Sequence, residues 1–262
     1  MLPSKSAAPP QQVRAFAYHE ISRVPSRDVY TLSPEQFSKH LETIHACQLL
    51  DRTVAITFDD GHWSNIQWAA PTLQAFALQG MFFITTDWMS RKPGFMSWDD
   101  VRSLADAGHT IGSHTASHPF LTQASAIQIE RELSGSRRKL EDQIGRQVTA
   151  ISMPGGRWNV RVLRACAAAG YEAVYTSEPG DLQPLSDQEK EAMPKLIGRF
   201  AVRRKTRLTT IAAYAKGDVY TSKMLQLSYH LRKNMRATLG DAGYQRLWSH
   251  FFRAAPTQAS GD

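Results

Sequence analysis

The stretch Val54-Ala55-Ile56-Thr57-Phe58-Asp59-Asp60-Gly61-His62 decides how the rest of this chain is interpreted. Its apolar, β-branched first half predicts a buried strand. Two adjacent carboxylates follow, and carboxylates without partners are costly to bury. We therefore expect the strand to end before them and to leave the pair at its C-terminal mouth, where α/β folds collect ligands and catalytic groups. Taken alone, the pattern also fits a strand followed by an ordinary Asp-Asp-Gly turn.

A second stretch, Ser113-His114-Thr115-Ala116-Ser117-His118-Pro119, favours the functional interpretation. It follows the apolar segment His109-Thr110-Ile111-Gly112, which predicts another strand, and its two histidines stand four residues apart, a spacing found among metal ligands. One carboxylate and two imidazoles make three ligands and leave a coordination position open for water or substrate. The second carboxylate is then available as a base.

Short apolar strands alternate with capped helices along most of the chain. Ser97 and Asn159 are predicted N-caps, and a helix over residues 69–79 is expected to end at Gly80. This alternation predicts a parallel α/β architecture. Six to eight strands can be counted, which favours a barrel or partial barrel over an open sheet.

The chain of 262 residues is long enough for one large domain, and no linker divides it. We expect a disordered lead over residues 1–12, a catalytic domain over 13–205 and helices over 206–255 packed on the same domain. No apolar run approaches the length of a membrane span, and the first residues lack the apolar centre of a secretory signal. These features predict a cytoplasmic protein. Cys47 and Cys166 are too few for a disulfide framework and are predicted to be buried free thiols.

The formal net charge of +7 favours anionic partners. A solvated basic surface explains the excess most simply, and a phosphate-bearing substrate or an anionic membrane surface is the sharper alternative. Nucleic acid is not expected, because the usual binding motifs are lacking. Much of the charge comes late in the chain, from Arg199, Arg203, Arg204, Lys205, Arg207, Lys223, Arg232, Lys233, Arg236, Arg246 and Arg253.

Three motifs, in order, resemble those of a known family. Thr57-Phe58-Asp59-Asp60-Gly61 and His114-Thr115-Ala116-Ser117-His118 resemble the first two motifs of the polysaccharide deacetylases of the NodB-homology type (carbohydrate esterase family 4). Met153-Pro154-Gly155-Gly156 resembles a variant of the third. The resemblance covers about Val13 to Val202. It implies a distorted (β/α) barrel, here with extra C-terminal helices, and one divalent metal ion, most often zinc, with cobalt or nickel as alternatives.

The resemblance also implies roles for individual residues. Asp60, His114 and His118 would be the metal ligands, and Asp59 the catalytic base. Backbone N–H groups near Gly155 and Gly156 would stabilise the oxyanion. The reaction would be hydrolysis of an N-acetyl group on an amino sugar.

Two departures from the family pattern lead to further assignments. Ser152 stands where the third motif has an arginine that orients the base, and Arg157 or Arg199 could supply that group instead. The late strand that carries the acid histidine is not evident after Gly180, but a circularly permuted branch of the family carries that strand first. Because Ala15-Phe16-Ala17-Tyr18-His19 resembles it, we assign His19 as the general acid; a half-buried, hydrogen-bonded histidine is the alternative.

Beside the third motif, Trp158 is the best candidate for stacking on a sugar ring, although packing in the core or at the rim is as good an explanation.

The function predicted from the sequence is metal-dependent N-deacetylation of a sugar, glycan or lipid-linked saccharide in exopolysaccharide or envelope-glycan biosynthesis. The basic, aromatic stretch from Tyr229 to Arg253 suits peripheral contact with an anionic membrane, at the inner membrane face. One alternative is a catalytically lapsed relative that binds glycan or metal. Another is an amidase or deformylase acting on a different sugar-linked amide.

Overall fold

The computed structural model describes residues 13–24, 26, 28–48, 53–180 and 193–251. Their strands form one sheet in which every neighbouring pair is parallel. The strands are β1 (Val13–Tyr18), β2 (Thr53–Phe58), β3 (Gly80–Ile84), β4 (Thr110–Ser113), β5 (Ala150–Ser152), β6 (Ala173–Tyr175), β7 (Lys195–Ile197) and β8 (Arg199–Ala201).

The sheet closes on itself almost completely. Its order is β7-β6-β5-β4-β3-β2-β1-β8, so the two outer strands are consecutive in sequence and are separated by Gly198 alone. β7 pairs with β6 while β8 pairs with β1, so one chain segment joins both edges. A Cβ at Gly198 would lie 2.2 Å from the carbonyl oxygen of Gly180 and 2.4 Å from that of Glu178, so only glycine fits. The predicted barrel is confirmed.

Helices cover the outside of the barrel, and most begin at the caps that the sequence predicts. The Ser97 hydroxyl and the Asp100 carboxylate form a reciprocal capping box, and the Asn159 side chain accepts from the amide of Val162. The helices are α1 (Pro34–Gln48), α2 (Ala70–Ala75), α3 (Trp98–Asp106), α4 (Ala126–Ile144), α5 (Val160–Ala168), α6 (Leu208–Ala215) and α7 (Val219–Phe251).

The helix predicted over residues 69–79 is wrong at both ends. A π-helical turn occupies Asn65–Ala69, and α2 follows it but stops at Ala75. The amides of Phe76 and Leu78 both bond to the carbonyl of Leu73, and Ala77 has φ 52°, which terminates the helix. Gly80 does not end a helix but begins β3.

Two apolar layers hold the fold together. The larger lies between the sheet and the helices, where the rings of Phe58 and Phe82 stack 4.8 Å apart. Each such ring stabilises the fold by about 1.5–3 kcal/mol relative to exposure. The smaller layer groups Phe83 with Ala150 and Tyr175. The buried guanidinium of Arg199 lies over two of these rings, which places a cation among the side chains of the smaller layer.

The C-terminal helices pack on the barrel. Tyr214 of α6 is buried and meets the ring of Phe16 in β1 edge to face, with centroids 5.2 Å apart. In α7, Ser222 is buried and Leu225 packs on the core. The layout expected from the sequence, a catalytic domain over residues 13–205 with helices over 206–255, stays a prediction. Residues 1–12 and 252–255 of that layout lie outside the described residues.

Both cysteines are buried free thiols, as predicted, and burial raises the pKa of Cys166 to about 12. None of the described helices combines the length and the apolar character that a bilayer span requires.

Candidate active site

The parallel register brings polar residues together at one end of the barrel. Tyr18 pairs with Phe58, so His19 and Asp59 follow neighbouring strands at the same level. His114 directly follows β4, and Ser152 is the last residue of β5. The carboxyl ends of parallel strands form a common edge, which is why residues far apart in sequence meet there.

Asp60, His114 and His118 form a compact cluster, as the sequence predicts. An Asp60 oxygen lies 3.4 Å from Nε2 of His114 and 3.5 Å from Nε2 of His118. One potential ligand atom from each of the three residues lies within 4.8 Å of the others. Two ligand atoms bonded tetrahedrally to zinc stand about 3.3 Å apart, given bonds near 2.0–2.1 Å. The spacing therefore fits a divalent ion bound by these residues.

The hydrogen bonds of His114 prepare it for such a role. Its Nδ1 lies 2.8 Å from the carbonyl oxygen of Ser152, which can only accept, so Nδ1 carries a proton and Nε2 is the ring nitrogen that faces Asp60. Burial lowers the pKa of this histidine, but the carboxylates of Asp59 and Asp60 outweigh burial and raise it. For His118, burial and the neighbouring His114 lower the pKa to about 4, so its ring is neutral near pH 7.

The backbone is strained where these side chains converge. Asp60 has φ 75° and His118 has φ 67°, and Thr115 between the two histidines also has φ 67°. Such conformations cost non-glycine residues roughly 1–3 kcal/mol each and cluster at functional sites. At Asp60 the strained turn lets two consecutive carboxylates differ in environment, with the side chain of Asp59 4% exposed and that of Asp60 28% exposed.

Glu132 of α4 holds the loop between the two histidines. Its Oε2 accepts from the amides of Ala116 and Ser117, each at 2.8 Å, and its Oε1 accepts from the Ser117 hydroxyl at 2.7 Å. Sequence reasoning missed this residue. Its position on the buried face of α4 was the available signal, because a glutamate there needs a partner.

Asp59 forms a bidentate pair with Arg199. Two guanidinium nitrogens of Arg199 donate to the two carboxylate oxygens at 2.7 Å each, and both side chains are buried. Burial would raise the pKa of Asp59, but the guanidinium and nearby His114 outweigh it and hold the pKa below its usual range. Asp59 is therefore an ionised, oriented carboxylate at neutral pH.

Ser152 joins the pair and the cluster. Its hydroxyl donates to Asp59 at 3.2 Å and accepts from Arg199 at 2.7 Å, while its carbonyl holds His114. Of the two arginines proposed to replace the one missing at position 152, Arg199 lies against Asp59. Arg157 lies over the ring of Phe120, with its guanidinium carbon 3.9 Å from the centroid.

His19 directly follows β1, at the same end of the barrel as the cluster. Its ring packs on Tyr30 with centroids 4.9 Å apart, and Asn65 donates to its carbonyl at 2.9 Å. Within the part of the chain that the structure describes, its Nδ1 is buried without a hydrogen-bond partner. This agrees poorly with the alternative of a hydrogen-bonded structural histidine.

The third-motif loop forms a tight turn beside Ser152. Gly155 and Gly156 have φ 62° and 68°. The Gly156 amide already donates to the carbonyl of Met153 at 2.8 Å, so of the two predicted oxyanion donors Gly155 is the better candidate. Trp158 is partly buried and packs on the core, whereas the ring centroid of Trp88 lies 5.3 Å from that of His118, so Trp88 is an aromatic side chain that contacts the cluster.

The cluster of Asp60, His114 and His118 and the arginine-paired Asp59 lie together at the mouth of a parallel barrel, and the chain can now be compared with known proteins. Residues 48–174 match the family model described as polysaccharide deacetylase. YxkH of Bacillus subtilis, placed by its name among the polysaccharide deacetylases, is 29% identical over 189 residues, which are 65% of this chain and 66% of YxkH. The B. subtilis peptidoglycan-N-acetylmuramic acid deacetylase PdaA is 28% identical over 129 residues, 48% of this chain and 47% of PdaA.

Solved structures show the same fold. The Streptococcus pyogenes deacetylase PplD, solved in complex with acetate, aligns over 77% of this chain and 96% of its own with a TM-score of 0.66 and 19% identity. The polysaccharide deacetylase BC0361 from Bacillus cereus aligns over 79% and 69% with a TM-score of 0.68 and 22% identity. By sequence over residues 48–174, and by fold over more than three quarters of its length, the chain is thus similar to the polysaccharide deacetylases. Its match spans just under two thirds of YxkH and about half of PdaA.

Proposed function

We propose that this protein hydrolyses the N-acetyl group of an amino sugar within an envelope glycan or exopolysaccharide, in a catalytic domain over residues 13–205. The observation that carries the proposal is the Asp60, His114 and His118 cluster beside the Asp59–Arg199 pair at one mouth. Similarity to the polysaccharide deacetylases supports the reaction class. The relatives named for peptidoglycan and chitooligosaccharide deacetylation support a glycan substrate.

We assign the metal site to Asp60, His114 and His118. Nitrogen and carboxylate ligands suit zinc, with cobalt or nickel as alternatives. A divalent ion held there would supply Lewis-acid polarisation of the acetyl carbonyl and of water.

Asp59 is the proposed general base. Its Oδ2 accepts from both Arg199 and Ser152, whereas its Oδ1 accepts from Arg199 and keeps a second acceptor position for a proton from the attacking water. Arg199 is a positioning residue that fixes the carboxylate plane. On the other side of the mouth, His19 would return a proton to the leaving amine, and the Gly155 amide would donate to the developing oxyanion.

Acetate release from N-acetylglucosamine oligosaccharides or peptidoglycan fragments, with zinc or cobalt added, tests the proposal. Asp59→Asn should lower kcat about 10²–10⁴-fold, the range for loss of a general base, without loss of bound metal. His114→Ala should lose the metal. The exposed Asp99→Asn is a matched control and should leave both unchanged.

The alternatives predict different outcomes in the same assay. A lapsed glycan-binding relative would bind the oligosaccharide and release no acetate in any variant. An amidase or deformylase would release another acid from a different sugar-linked amide and would still depend on Asp59. The pairing of Arg199 with Asp59 supports an intact site, because it supplies the cation that Ser152 lacks.

We further propose peripheral contact with an anionic membrane through α7, at the inner face of a cytoplasmic protein. Exposed apolar side chains recur on α7 at spacings of three and four residues, opposite buried Ser222, and lysines flank them. The stripe consists of Tyr220, Met224, Leu227, Leu231 and Met235. Sedimentation with phosphatidylglycerol vesicles should be lost in Leu227→Ser/Leu231→Ser; sedimentation equal to the wild type would count against the contact. Arg253 of the predicted stretch lies outside the described residues.

A further inference from the structure

The loop that joins β3 to α3 is fixed against the loop that bears the two histidines of the cluster. The Thr86 amide donates to the carbonyl of Thr115 at 3.2 Å, and the Asp87 amide donates to the carbonyl of Ala116 at 2.9 Å. Lys139 of α4 adds a further contact, because its ammonium lies 3.2 Å from the Thr86 carbonyl oxygen and 3.4 Å from a carboxylate oxygen of Asp87. The next residue in the loop is a tryptophan, and these contacts fix where its backbone lies.

His118 is the proposed ligand whose ring has the fewest hydrogen bonds. Its backbone is held, since its amide donates to the Thr115 hydroxyl at 3.0 Å. The ring of His114 is oriented by the carbonyl of Ser152. Within the described part of the chain, the ring of His118 has no such partner beyond the Asp60 oxygen, which lies 3.5 Å from Nε2. Ligand imidazoles are usually oriented by a hydrogen bond at the second ring nitrogen, so the orientation of this ring depends on packing instead.

Trp88 supplies that packing. Its ring centroid lies 5.3 Å from that of His118, with an angle of 34° between the two planes. The ring of His114 also contacts His118, with centroids 4.8 Å apart, but His114 is itself a proposed ligand. Among the described residues, Trp88 is therefore the aromatic ring outside the ligand set that packs on His118.

The indole of Trp88 is in turn held by its own loop. The ring of Phe95 meets it edge to face, with centroids 4.7 Å apart. The ammonium of Lys92 lies 3.5 Å from the centroid of the indole, and the Lys92 amide donates to the Trp88 carbonyl at 2.9 Å. A cation over an indole face is attracted by the quadrupole of the ring. These contacts orient the indole before any ion binds.

We propose that Trp88 is a positioning residue for the metal site, which holds the His118 imidazole in the orientation that a bound divalent ion requires. A ring that is already oriented loses little conformational entropy when the ion binds, whereas a freely rotating ring loses more and binds more weakly. The proposal rests on the assignment of Asp60, His114 and His118 as ligands under the function proposed above.

The zinc affinity of the full chain, measured by competition with a chromophoric chelator, tests this role. Trp88→Leu keeps an apolar side chain in the loop but removes the ring, so zinc binding should weaken about 10–100-fold, the range for loss of a group that orients a metal ligand. Trp88→Phe keeps a ring and should recover most of that affinity. Trp63→Ala removes a tryptophan that is 42% exposed in the loop after β2, and as the matched control it should bind zinc as the wild type does.

Lys92→Gln is a second variant that leaves the packing of the indole in place. Lys92 is exposed, so the fold should be unaffected, and circular dichroism of the chelated protein checks this for every variant. Loss of the cation over the indole should weaken zinc binding by about two- to fivefold, less than in Trp88→Leu, because His118 keeps its ring contact.

Cobalt distinguishes failure of this proposal from failure of the metal site. A cobalt ion at the cluster should quench part of the tryptophan fluorescence of the wild type, and the quenching should shrink more in Trp88→Phe than in Trp63→Ala. If that pattern is observed, equal zinc affinity in the wild type and Trp88→Leu would overturn the positioning role and leave the metal site in place. No binding of zinc or cobalt by the wild type would overturn both.

Two other results would also overturn the positioning role. Equal losses of zinc affinity in Trp88→Phe and Trp88→Leu would show that an aromatic ring is not what His118 requires. A raised KM for an N-acetylglucosamine oligosaccharide in Trp88→Leu, with unchanged zinc affinity, would assign Trp88 to substrate contact instead.

Discussion

Asp59 and Arg199 are the residues on which the site depends most, because each is buried and each is the other's counter-charge. Removing one partner of such a pair leaves an uncompensated buried charge, which costs roughly 3–5 kcal/mol. We therefore expect Arg199→Met to lower the free energy of unfolding by about that amount. Urea denaturation measures it.

The double variant Arg199→Met/Asp59→Asn provides a second test of the same ion pair. With no charge left to bury, it should recover part of the stability that Arg199→Met loses, so the two substitutions should not be additive. Arg146 pairs with Asp106 at the surface, and Arg146→Met is the matched control, expected to cost under about 1 kcal/mol. A loss in Arg199→Met no larger than in this control would contradict the assigned pairing.

The sequence predicted which polar residues lie at the strand ends but not which side chains hold them in place. Asp59, His114 and His118 were found because polar residues after apolar strands collect at one mouth, a local pattern. Arg199 was only one of two candidate partners for Asp59. It begins β8, where it pairs with Ala15, and it reaches Asp59 only through its long side chain. No spacing rule reports a contact between residues 140 positions apart. Glu132 was missed for the same reason.

The β7–β8 segment is the element that closes the barrel, and Gly198 is its most constrained position. In Gly198→Ala the added Cβ would meet two backbone carbonyls, which cannot move as a side chain can. Overpacking of this kind costs about 1–3 kcal/mol or more. We expect a lower Tm and, because Arg199 is the next residue, weaker activity.

Gly135→Ala is the matched control for that substitution. Gly135 lies within α4, and nothing stands within 4 Å of the position that a Cβ would take there, so alanine should stabilise the helix by roughly 0.5–1 kcal/mol. Opposite shifts in Tm from the same chemical change would support the closed barrel. Equal shifts in both variants would show that the β7–β8 junction tolerates a side chain and would contradict the closure described above.

Elements with strong local signals were predicted well, and the exceptions have physical causes. The capping residues Ser97 and Asn159 carry their hydrogen bonds in their own sequence neighbourhood, so the starts of α3 and α5 were correct. The predicted helix over 69–79 failed because its apolar residues continue past Ala75, where the carbonyl of Leu73 collects two amides and ends the helix. The spacing of apolar residues along the sequence does not report that two amides bond to the same carbonyl.

Across the whole molecule, the proposed metal ligands Asp60, His114 and His118 join two loops that the fold brings together from distant parts of the chain. Asp60 follows β2, and the histidines follow β4. The three ligands come together only in the folded chain, so an ion bound to all of them should bind the native state alone. By mass action it should stabilise that state by about 2.7 kcal/mol at a concentration of 100 Kd. For a chain of this length, that corresponds to roughly 5–10 °C in Tm.

We accordingly predict that chelation lowers the Tm of the wild type by that amount and that added zinc restores it. In His118→Ala the difference between chelated and zinc-supplemented protein should largely vanish, since two ligands hold the ion far less tightly than three. His45→Ala, at an exposed position on α1, should keep the full difference. The readout needs no substrate, so it tests the ligand set independently of the reaction. A zinc-dependent shift of equal size in His118→Ala would place the ion elsewhere on the molecule.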